Sequence, residues 1–120
     1  MSQRATSPSN QGEGLQACFY DLIRNLRRVQ ARYVKLRNAE DLELSKALKA
    51  QVRESLAWIQ WNPGKISGSL PGTVQKMITA QAEYYKQRTS DRLQRAKALE
   101  REIDKSVAEF FDTQTSLIDE

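Results

Sequence analysis

The chain is predicted to be all-α: an elongated helical bundle of about three helices, the C-terminal one longest and coiled-coil-like in pattern, preceded by a disordered leader. Three observations carry this. Leu15, Phe19, Leu22, Leu26, Val29, Tyr33 and Leu36 follow one another at alternating spacings of four and three, the signature of a helix with one apolar seam. No Pro or Gly occurs after Gly72, so nothing punctuates the C-terminal stretch. No run of alternating β-branched and polar residues suggests a strand.

Residues 1–14, MSQRATSPSNQGEG, are rich in Ser, Gln, Gly and Asn. They hold too little apolar surface to offset the entropy of ordering, and a disordered leader is expected. A single helical domain is expected over 15–120, with the first helix over about 15–37. The seam then loses phase, because continuing it would bury Glu40 and Glu43. A second register starts with Leu44, Leu48, Val52, Leu56 and Ile59. A short break near 38–41 accounts for this, since Asn stops helices and Asp caps them. The second helix spans about 41–61.

The loop NPGKISGSLPG, 62–72, ends it, because Pro63 disfavours a helical Asn62 and the glycines mark turns. Gly64-Lys65 lacks the remaining residues of a phosphate-binding loop, and that reading is set aside. The third helix is expected over about 73–112, its face formed by Val74, Met77, Ile78, Ala96, Leu99, Ile103, Val107 and Phe110. Its middle, KQRTSDRLQR, is almost wholly polar. Either the helix runs through, supported by opposite charges three residues apart, or Thr89 or Ser90 caps a new one.

Function is less legible. The chain has no His and one Cys. A Ser-His or Cys-His nucleophile system is therefore excluded, and common zinc sites lack their ligands. We expect no enzyme, catalytic residue, metal or cofactor; a carboxylate-only enzyme is a distant third reading. One Cys suits a reducing compartment. The N-terminus lacks the apolar core of a secretory signal, and no apolar run is long enough to span a membrane. The expected location is cytoplasmic, or nuclear in a eukaryote, and not secreted.

Two surfaces stand out. RNLRRVQARYVKLR, residues 24–37, carries six positive charges and no negative one. Arg24, Arg28, Arg32 and Lys35 fall within an arc of about 80°, centred about 135° from the seam. The plain reading is a solvated helix face. The sharper one is a stripe for an acidic partner, because a face without acids repels itself. The stripe contains no aromatic for stacking on bases, and acidic protein surface, including residues 109–120 of another copy, is preferred to nucleic acid. An anionic membrane surface ranks third.

The second surface is aromatic. Trp58 and Trp61 are expected to be covered by the following loop, with Ile66 and Leu70 beneath; their alternative role is as protein-interface anchors. Tyr84-Tyr85 and Phe110-Phe111 are neighbours in sequence, and neighbours cannot both face one narrow seam. One of each pair is assigned to the core and the other to a rim or interface. Cys18 is read as a buried, inert thiol. The leading function is a non-enzymatic assembly or adaptor protein working through helix–helix contacts in a homo-oligomer or larger complex. The alternative is a nucleic-acid-associated accessory protein binding phosphates through the helix-one stripe.

Overall fold

A computed structural model describes residues 8–119, with side chains described over 14–113. Among the described residues there are four helices and no strand: α1 (Pro8–Leu36), α2 (Ala39–Trp61), α3 (Leu70–Lys86) and α4 (Ser90–Asp119). The all-α class holds, and the expected count of about three becomes four. The chain divides into two compact units, one ending at Ser67 and the other starting at Gly68.

In the first unit α1 packs against α2. Helix α1 starts at Pro8, not near Leu15, so residues 8–14 of the expected leader are helical; residues 1–7 lie outside the described residues. Pro tolerates a first helical turn because its missing N–H would be unpaired there anyway. The break between α1 and α2 occupies only Arg37 and Asn38, slightly before the position expected. Arg37 takes a left-handed conformation, φ 57°, and its N–H donates to the Tyr33 carbonyl at 2.7 Å, closing α1 as Gly usually does. Asn38 then caps α2 by accepting the Asp41 N–H at 2.7 Å.

The core of this unit comprises Phe19, Ile23, Leu26 and Val29 from α1, Val52 from α2 and Ile66 from the following loop. The seam is thus rotated toward Ile23, which is fully buried, while Leu15 and Leu36 at its ends are exposed. A heptad pattern locates the packed face only to within about one residue, and Ile23 sits one turn beyond Phe19 on its flank. On α2, Leu44 is exposed, and Leu48, Leu56 and Ile59 are half-buried.

In the second unit α3 packs against α4. Helix α3 begins at Leu70, with Pro71 in its first turn; the Pro-Gly read as loop is helix, since Pro's fixed φ suits that position. Leu70, Val74, Met77, Ile78 and Ala80 are buried on α3, facing a core that Ala96, Ile103 and Val107 of α4 also enter. Buried Gln81 donates from Nε2 to Glu100 Oε2 at 2.7 Å across the pair, so its amide is not left unpaired. The expected 73–112 helix breaks at Gln87–Thr89. The Thr89 hydroxyl accepts the Arg92 N–H at 3.3 Å, which is N-capping of α4 and competes with helix continuation. Helix α4 extends to Asp119.

Candidate functional site

The end of α2 is terminated by its own side chains. Asn62 donates from Nδ2 to the Trp58 carbonyl at 2.7 Å. Residues 62–65 then reverse the chain, with Lys65 N–H on the Asn62 carbonyl at 3.3 Å and Gly64 at φ 87°. Pro63 followed by a positive-φ Gly is the pattern of a type II turn. The returning strand of loop is clasped to α1 by one side chain: Gln16 Oε1 accepts from Ser67 N–H at 3.3 Å and from its hydroxyl at 3.1 Å. This clasp buries Ile66.

The result is an open, apolar groove of about 360 Å³ in the first unit, walled by Leu15, Phe19 and Leu22 of α1, Trp58 and Ile59 of α2, and Ile66. The loop that was expected to cover both tryptophans supplies Ile66 instead. Trp58 remains 43% exposed on the groove wall and Trp61 81% exposed, because the chain turns away over 62–65, directly after Trp61. Leu70 opens α3 rather than packing as loop. Trp61 lies about 60° around α2 from Trp58. Cys18 also lines the groove and is exposed, which corrects the buried reading: it lies on the side of α1 away from Ile23.

The basic stripe is divided. Arg24 pairs with Asp21. Arg32 donates through Nε and Nη2 to Asp41 Oδ1, both at 2.8 Å. Arg28 and Lys35 are exposed, and among the described residues no carboxylate lies within ion-pair distance of either. Asp41 is buried and fully engaged, since its Oδ2 accepts from Asn38 Nδ2 at 2.9 Å. The Arg32 hydrogen bond holds the Asp41 carboxyl below the usual carboxylate range; burial opposes this, and Asn38 adds to it. The missed signal was Asn38-x-x-Asp41, an N-cap residue whose side chain also bonds the carboxylate three positions on, with Arg32 placed to neutralise it. Half of the stripe is therefore paired within the first unit, Arg24 along α1 and Arg32 at the α1–α2 turn.

Tyr84 is half-buried and Tyr85 is 62% exposed, with ring centroids 5.8 Å apart. Phe110 and Phe111 are both half-buried and meet edge to face at 5.1 Å, so neither takes a purely core or purely rim position. Among the described residues no group of three Cys, Asp or Glu side chains is placed to hold a metal ion, and no helix is long and apolar enough to cross a membrane. Comparisons with protein-family profiles, with curated proteins and with solved structures find no match to this chain.

Proposed function

We propose that the protein is a non-enzymatic assembly protein that binds a second copy of itself through the α1–α2 groove. The supporting observation is the pairing of an open apolar socket with a fully presented indole, Trp61, one turn past a socket wall residue. Exposed tryptophan is costly to leave in water, and large aromatics seated in apolar pockets are the usual anchors of interfaces. A knob and a hole side by side on one surface are what a two-fold interface requires, since each copy then offers its Trp61 to the other's groove. Helix-on-helix pairing of coiled-coil type around that axis would also cover Leu15. A cytoplasmic or other reducing location suits an exposed lone thiol at such a groove.

Sedimentation of the purified protein through the micromolar range tests this. A dimer or larger species should dissociate on dilution, with tryptophan emission moving to the red as Trp61 returns to water. Trp61→Ala should sediment as a monomer with unchanged helicity, because so exposed a side chain contributes little to the fold. A wild-type monomer throughout, or a Trp61→Ala protein that still associates as tightly, would refute the reading.

A further inference from the structure

We propose that the α3–α4 turn is a contact site for single-stranded nucleic acid, with Tyr85 as the stacking surface and Arg88 as the phosphate ligand. The Arg88 guanidinium carbon lies 5.6 Å from the Tyr84 ring centroid and 5.4 Å from that of Tyr85. Cation–π attraction to two rings at once fixes the guanidinium on an exposed turn. Yet among the described residues it makes no hydrogen bond and no ion pair. A planar donor fork held in place with its N–H edges unengaged is matched by an oxoanion, which it can bind bidentately at little further cost in entropy.

The surroundings favour a polyanion. From Tyr84 to Lys97 there are five basic residues, Lys86, Arg88, Arg92, Arg95 and Lys97, against one acid, Asp91. Among the described residues none of the five has a carboxylate within ion-pair distance. Arg92 donates instead to Gln87 Oε1 across the turn, so it too keeps its full charge. This separates the turn from the α1 stripe, where Arg24 and Arg32 are neutralised by Asp21 and Asp41.

Charge alone would accept an acidic peptide equally well. The exposed Tyr85 ring decides between them, because an unpaired base has a flat π-face to lay on it and an aspartate or glutamate has none. Duplex is disfavoured for the same reason, since its base faces are already stacked. No side chain here is arranged to read base edges, so binding should be tolerant of sequence and steeply salt-dependent.

Fluorescence anisotropy of the full chain with a labelled oligothymidylate tests this, set against a labelled oligoglutamate of equal charge at two salt concentrations. The oligothymidylate should bind more tightly. Tyr85→Ala should weaken it by about tenfold, and Tyr85→Phe should restore it, because stacking needs the ring and not the hydroxyl. Arg88→Gln should weaken binding and reduce the salt slope by about one. The double variant Arg28→Gln, Lys35→Gln should leave affinity unchanged, and circular dichroism should show every variant folded. No binding of oligothymidylate, equal or tighter binding of oligoglutamate, a silent Tyr85→Ala, or a loss carried by the α1 pair would each overturn the proposal.

Discussion

Asp41 shows how a single buried carboxylate ties pH to the fold. Its folded-state affinity for a proton is lowered by Arg32 and Asn38, so the charged form is favoured in the native chain. The stabilisation is complete above the ordinary carboxylate range, above about pH 4, and is lost as pH falls through the lowered native value. Asp41→Asn should reduce thermal stability at pH 7 and flatten its decline on acidification; an unchanged acid limb in melts between pH 5 and 2 would contradict this assignment. Arg37 makes the opposite point. It carries a Cβ in a left-handed backbone, offset in part by stacking of its guanidinium on Tyr33 at 5.4 Å. Arg37→Gly should stabilise the protein by about 0.5–1 kcal/mol in urea titration, because the strain removed exceeds what an exposed cation–π contact returns. Neither effect is visible in composition or charge. The stripe reading counted Arg32 as available because Asp41 lies nine positions away and reaches it only once the turn has formed.

The helices themselves were largely legible. The spacing from Leu15 to Leu36 identifies α1, and Ala96, Ile103 and Val107 identify the buried face of α4. What periodicity could not supply is the rotation of a face and the place where a helix stops. Ile23 lies outside the heptad yet is fully buried, whereas Leu36 lies on it and is 60% exposed. Ile23→Ala should therefore cost about 2–4 kcal/mol, while Leu36→Ala should stay within about 0.5 kcal/mol. Equal costs in chemical denaturation would mean that the heptad, and not the rotated face, describes the packing. Ends were misread for a local reason: Pro71 looks like loop punctuation but is well suited to a first helical turn, and Thr89 breaks a helix by capping the next one.

Across the molecule, both surfaces argued for binding depend on how short turns place side chains from different elements together. Trp58 and Trp61 were legible as a pair, but the groove beside them needs Ile66, delivered by the Gln16–Ser67 clasp over 51 positions. Tyr84 and Tyr85 were in view as interface candidates and Arg88 lay in the stretch read as polar, and only the turn of α3 into α4 sets the guanidinium over both rings. The same turns have a consequence in time. Helix α1 packs on α2 and α3 on α4, each on the next helix along the chain, through connections of two and three residues. Bringing such neighbours together asks little loop-closure entropy, and chains dominated by local pairing fold in the microsecond-to-millisecond range. The first pair can therefore close while the second is still being synthesised.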